Sequence, residues 1–414
     1  MDHRKIALKA TLSLGLILSL QAQVFANAAP AAGGCCEDHK ARLKKLEDRA
    51  VMSVANKVVL SGTVYRGILW MDNGAHSNLT HVDNGNATSR FNITGTGALT
   101  DSLSVQGIFE VGMGSNDSDS VNVNRSMTSR DAQMGMRVRK SEIAFKHTKW
   151  GQLSMGRGWM VQAIGPIIGD MTGTDTASVG MAGPLNTAGS VTFVTKAGQA
   201  TNYNQIAVFN DGGFIRKDRV RYDSPSFYGF SAHTSHAHHN RGDMADVALN
   251  YSGAFSGTKV SGFLSWGKDN TLENQNSKYH VTHANLGVLV PVSYSKKENT
   301  GLAFNVVGLR KKTNKVSVKG NVLFAKAGWI ERFVSVGNTA FAVDYGRFKN
   351  MAYNPTTPTN RPVGKTWALT MSQSLDVVSS EVHATYRNYA LKVKGSGVAY
   401  KKVNAVMLGA SVKM

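Results

Sequence analysis

The sequence predicts an all-β protein: a transmembrane antiparallel β-barrel of about sixteen strands, with a long loop folded into its lumen and a short helical extension at its N-terminus. Three observations lead there. The chain opens with an export segment, its remainder is a succession of short stretches in which apolar and polar residues alternate, and those stretches are comparably long with no bulky uninterrupted apolar run among them.

The first 28 residues carry a basic start, MDHRK, then an apolar stretch over residues 6–25 broken by Lys9, and then Ala26, Asn27 and Ala28. A charged beginning, an apolar middle and an A-x-A exit describe a cleaved secretory signal over residues 1–28. Residues 29–56 form an extension on the periplasmic side. Within it EDHKARLKKLEDRA lacks Gly and Pro and places Leu43, Leu46 and Ala50 at helical spacing. A helix so short is marginal alone, so it is either a solvated helix or a small trimer-clasping coiled coil. Cys35 and Cys36 are the only cysteines. They exclude a disulfide framework and leave an adjacent pair suited to intermolecular bonding in an oxidising compartment.

From residue 57 to 414 the chain reads as strands broken by Gly, Asn, Asp, Ser and Pro; 42 glycines against 8 prolines suit many turns. In SRFNITGTG, at 89–97, Phe91 and Ile93 face one way while Arg90, Asn92 and Thr94 face the other. Val105, Phe109, Val111 and Met113 repeat the pattern opposite Ser104, Gln106 and Glu110, so residues 89–114 form a hairpin turning at 99–102. Further strands are expected at 57–70, 134–147, 150–158, 203–209, 215–223, 227–236, 244–255, 257–267, 279–290, 300–311, 315–330, 334–348, 364–375, 378–392 and 401–414. Many match the length a tilted strand needs to cross a bilayer. Alternation alone fits a soluble sandwich equally well. Export, the number of similar strands and the absence of another domain favour a barrel, whose closure removes the edges that lipid would not tolerate. In the last strand Val406, Leu408, Ala410, Val412 and Met414 share one phase, as expected of a strand that closes against the first.

Residues 158–199 break the rhythm. The stretch is rich in Gly, Ala and Thr, and loops of that length are commonly functional. Folded into the lumen, it would present Asp170 and Asp175 to whatever passes.

Lys and Arg outnumber Asp and Glu by 47 to 27; losing Arg4, Lys5 and Lys9 against Asp2 leaves a mature excess of 18. Such a charge attracts anions, and export argues against nucleic acid as the partner. The histidines at 233, 236, 238 and 239 share no phase and lack accompanying Cys or acid ligands, so no metal site and no cofactor are expected. Likewise NDSDS at 116–120 lacks the closing Glu of a helical calcium loop. No Walker, HExxH or GxSxG motif is present. Ser231 and His233 lie two apart on one face, a spacing too common to signify an enzyme.

The chain resembles the general Gram-negative outer-membrane porins, which are trimeric barrels of sixteen strands. The pieces that carry the resemblance are VVLSGTVYRGILWMDNG at 58–74, SRFNITGTGALTDSLSVQGIFEVG at 89–112, FKHTKWGQLSMGRG at 145–158, RYDSPSFYGFSAH at 221–233 and the closing strand. It departs from the family in ending on Met414 rather than an aromatic residue, and in having only Asp170 and Asp175 as obvious loop acids. The resemblance implies a homotrimer embedded in outer-membrane lipid and lipopolysaccharide, passing small hydrophilic solutes by passive diffusion without catalysis. It also implies a ladder of wall arginines facing acids on the inserted loop. Arg90, Arg139, Arg157, Arg219 and Arg221 are at plausible wall positions, whereas the phase of Arg66 is ambiguous. An excess of basic residues there favours anions. The competing reading is an occluded barrel acting as an adhesin or receptor through its external loops.

Overall fold

A computed structural model describes residues 39–40, 42–44, 56–124, 136–188, 190–212, 214–239, 242–271, 278–292, 299–313, 318–353 and 359–414. The expected signal segment, Cys35 and Cys36 lie outside the described residues. Of the extension, residues 39–40 and 42–44 are helical and exposed.

Residues 55–414 form one compact unit. The first strand, β1 (Asn56–Asp72), pairs along its later half with β2 (Ser77–Val82) and along its earlier half with β3 (Arg90–Ala98). β2 and β3 are therefore two pieces of a single interrupted strand. Where the ladder breaks, the Ser89 hydroxyl substitutes for it, accepting from the Tyr65 amide at 2.9 Å and donating to the Tyr65 carbonyl at 3.3 Å. Next come β4 (Leu103–Gly112), β5 (Arg137–His147) and β6 (Gly151–Trp159). After the long loop the wall resumes with β9 (Arg216–Asp223), because β7 (Thr192–Val194) and β8 (Ala200–Asn204) are a separate two-stranded piece within that loop.

The meander then continues through β10 (Phe230–His239), β11 (Gly242–Phe255), β12 (Thr258–Asp269), β13 (Tyr279–Val290) and β14 (Gly301–Thr313). It ends with β15 (Lys319–Val334), β16 (Gly337–Lys349), β17 (Arg361–Leu375), β18 (Ser380–Lys394) and β19 (Val403–Lys413). β19 returns to β1, with Thr63 opposite Lys413 and Asp72 opposite Asn404. Met414 adds two more backbone bonds to Gly62, at 2.8 and 2.9 Å. The result is the expected closed antiparallel barrel of 16 strands.

Outward positions make the lipid face. Val64, Ile68, Leu264, Leu286, Phe304, Leu323, Phe341, Leu369 and Leu408 are all exposed apolar residues, alternating with buried inward ones. No helix of the described residues is long and apolar enough to cross a membrane; the strands do so.

Three expectations are corrected. The strand expected at 203–209 stops at Asn204, the end of β8: Gln205–Val208 is a short helix, α2 in chain order after α1 (Gly183–Thr187), and the Asn204 side chain caps it by accepting from the Ala207 amide. β2 is too short and polar to register as alternation. β10 runs on to His239, three residues past the expected end at 236, and His236 and His238 stand on its outer phase. Both approach Asp243, at 3.8 and 2.6 Å, and no three metal-ligating side chains converge among the described residues.

Candidate functional site: the lumen and its inserted loop

The loop between β6 and β9 spans 160–215, starting as expected and running some way beyond 199. Glycine admits it to the wall: a Cβ on Gly287 of β13 would collide with the carbonyl of Gly169. A line of polar contacts then fastens it. The Gln162 backbone amide donates to the Asp246 carboxylate at 2.8 Å, and its side chain donates to the Val281 carbonyl at 2.8 Å. Asn285 donates to the Gly165 carbonyl, Thr176 donates to Glu381, and Tyr389 donates to the Pro184 carbonyl.

Two buried ion pairs complete the anchorage. Lys326 of β15 meets Asp170 at 2.9 Å with side-chain exposures of 0% and 1%, and also donates to the Ser178 carbonyl. Burial raises the Asp170 pKa, but the Lys326 ammonium, Thr172 and the Gly180 amide outweigh it and hold the carboxyl below its ordinary value. Arg387 of β18 forks onto Asp344 of β16 at 2.8 and 2.7 Å and reaches Ser178 at 2.8 Å.

Apolar packing does the rest. Phe193, Phe209 and Met181 from the loop join Phe324, Phe348, Tyr389 and Met407 from the wall in one buried cluster. These inward residues explain why β15 reads as apolar on both faces: its inner face meets loop, not water.

The opposite wall, β3 to β9, carries the basic residues. Glu110 of β4 is approached by Arg139 at 2.5 Å, Lys140 at 3.9 Å and Arg216 at 3.9 Å. A register shift beside Glu110 leaves Arg139 as the extra residue of β5, which lets two consecutive basic side chains turn toward one acid. Arg216 is stacked over Trp159, 3.5 Å from the ring centre. Arg137 pairs with Asp117 at 3.3 Å, and Arg90 lies within electrostatic reach of both Glu110 and Arg216.

Lower on the same wall Arg219 is 3% exposed, bonded to Glu142 and to the Trp159 carbonyl. Gly158 makes room for that pair, since a Cβ there would strike both partners. Arg221 grips Asp223 at 2.8 to 3.0 Å.

Two candidates, Asp170 and Arg157, and Arg66, whose phase was ambiguous, are not where a pore-lining role needs them. Asp170 is sealed against Lys326. Arg157 shares the outward phase of Leu153 and Met155, bonding the Val138 carbonyl and standing 4.0 Å from the exposed Asp218. Arg66 reaches into the break in the second strand, 3.1 Å from buried Asp83. Asp175 is exposed and borders a cavity of about 380 Å³ with Lys259, Asn299, Asn338 and Ser374. Sequence reasoning missed Lys140, Arg216, Glu142, Lys326 and Arg387. The phase of Glu142, opposite to that of Ile143 and Phe145, was the one available signal.

A closed barrel with a lipid-facing apolar exterior, charged wall and inserted loop defines an outer-membrane channel protein. The Gram-negative porin family model matches residues 19–395, and the chain belongs to that family. No curated protein sequence matches it at a significant level. Solved structures similar to it include the anion-selective porin from Comamonas acidovorans, at 15% identity and TM-score 0.58, covering 87% of this chain and 100% of that one. OmpF of Salmonella typhi in complex with daunomycin has 14% identity and TM-score 0.54, covering 87% and 99%. The trimer form of OmpT from Vibrio cholerae has 12% identity and TM-score 0.52, covering 87% and 100%.

Proposed function

We propose that this outer-membrane porin is a water-filled, anion-preferring path for passive diffusion of small hydrophilic solutes, working as a homotrimer after cleavage of residues 1–28. The observation that carries the reading is the uneven charge of the lumen. On the β3 to β9 wall, among the described residues, Arg137, Arg139, Lys140, Arg216, Arg219 and Arg221 pair with Glu110, Glu142, Asp117 and Asp223, and Arg90 lies within electrostatic reach of Glu110. Cations left in excess on a wall bordered by low-dielectric protein concentrate anions along it. Arg90, Arg139 and Arg221 are the pore-lining residues of this reading, Arg219 being sealed against Glu142 in the wall, with Asp175 the loop acid still open to water. The likeness to an anion-selective porin agrees with it.

The apolar cluster inside the lumen favours one competitor, an occluded barrel whose loops bind a partner. Planar-bilayer recording on refolded, heat-modifiable protein separates them. Stepwise conductance in groups of three supports the trimeric channel; a folded protein that never conducts leaves the occluded reading.

A further inference from the structure

Ser231 and His233, too common a spacing to signify anything in sequence, acquire a third partner in the fold. His233 Nε2 is 2.9 Å from the Ser231 hydroxyl, and His233 Nδ1 is 2.6 Å from Asp223 Oδ1. We propose that these three residues form a nucleophile, base and orienting carboxylate on the lumen wall, able to hydrolyse small water-soluble carboxylic esters that diffuse into the barrel.

Strand geometry assembles the group. Alternation along β10 puts Ser231 and His233 on the inward phase, between the outward Phe230, Ala232 and Thr234. The antiparallel register then sets Asp223 of β9 directly opposite His233. Arg221 clamps Asp223 from the far side, with its Nε 2.9 and 3.0 Å from the two carboxylate oxygens. A carboxylate can only accept at Nδ1, so the proton stays on that nitrogen and Nε2 is left to accept from the serine. Both distances lie in the range of a competent nucleophile and base pair.

Across the other ladder Asn250 of β11 is opposite Ser231, and residues directly opposite share a face. Its Oδ1 is buried without a partner. Its carboxamide N–H₂ supplies the donor for the oxygen that becomes negative when Ser231 attacks. One inward position beyond His233, Ser235 accepts from the Val161 amide at 3.1 Å. The group thus stands beside the root of the inserted loop, and His233 and Asp223 are only 15% and 19% exposed.

The chemistry balances with water alone. Ser231 Oγ bonds to the ester carbonyl carbon while its proton passes to His233 Nε2. The bond from that carbon to the alcohol oxygen breaks, and the alcohol leaves with the proton. Water repeats the sequence on the acyl-serine, releasing the acid and restoring the hydroxyl.

The test uses the full refolded chain in detergent, with a fluorophosphonate probe and p-nitrophenyl acetate. Expected are an adduct mapped to Ser231 on the unsubstituted protein and turnover that Ser231→Ala abolishes, while its single-channel conductance stays unchanged. As a positioning residue, Asp223 is tested by Asp223→Asn. That change should lower turnover by about 10⁴-fold, the loss typical when the orienting carboxylate is amidated, and displace the midpoint of the pH–rate profile. Absence of an adduct on folded protein, an adduct mapped elsewhere, or turnover that survives Ser231→Ala overturns the proposal. Mapping on the unsubstituted chain requires no variant to fold, and conductance reads the channel separately from the hydrolase.

Discussion

Lys326 and Arg387 on one side of the lumen are as cationic as Arg139 and Arg216 on the other, yet the two walls treat charge differently. On the anchoring wall each cation has its own acid, Asp170 or Asp344, and all four side chains are essentially sealed. On the opposite wall Arg219 and Glu142 repeat the sealed pair lower down, but above them three cations share Glu110. A sealed one-to-one pair holds a shape and leaves no field in the water. A shared acid leaves net positive charge where solute passes. The same residue types thus act as fasteners or as a selectivity surface according to partner count and burial, not identity.

The largest expected effect follows from breaking a fastener. Lys326→Met leaves Asp170 buried and unpaired, a loss of about 3–5 kcal/mol in comparable cases. The loop should detach from β15, seen as noisier, larger single-channel conductance and protease cleavage within 160–180. The double change Lys326→Met with Asp170→Leu removes both charges and should restore near-normal conductance, because replacing a whole buried pair by apolar side chains is often neutral. If the single and double variants behave alike, the pair is not the fastener.

Acid should loosen the same contact more gently. The Asp170 pKa is depressed in the folded state, so its contribution is complete above the ordinary value of 3.8 and is lost only as pH falls through the lower, folded value. Conductance noise should therefore stay flat from pH 7 to about 4 and rise below it. A rise already at pH 5 to 6 would contradict the buried pair.

On the opposite wall Arg139→Gln should lower anion preference rather than stability. One unit charge about 4 Å from a passing ion is worth about 1 kcal/mol in water, of opposite sign for chloride and potassium, so the chloride-to-potassium permeability ratio should fall by about thirtyfold or less. Arg157→Gln is the smallest case. On the outer face beside Asp218 it should leave the ratio unchanged, and a shift as large as that of Arg139→Gln would place it in the lumen after all.

These differences also mark what was legible in the sequence. The strands were, because a lipid face forces period two: 279–290 coincides with β13, and most others agree within a few residues. Arg157 was misplaced among the wall arginines although a signal was there, since Leu153 and Met155 set its phase as outward. Asp170 was not, because a loop residue has no phase and its partner Lys326 lies 156 positions away. Inward apolar residues such as Phe324 and Phe348 carried no sequence signal of the loop they meet. For Ser231 and His233 the missing datum was register, which alone brings Asp223 alongside.

The most direct test of the central claim is the reversal potential of the unsubstituted protein in a planar bilayer under a potassium chloride gradient. The arginine-rich wall requires open channels whose potential lies toward the chloride equilibrium value. A potential toward potassium would contradict the charge assignment, and folded protein without conductance would contradict the channel itself.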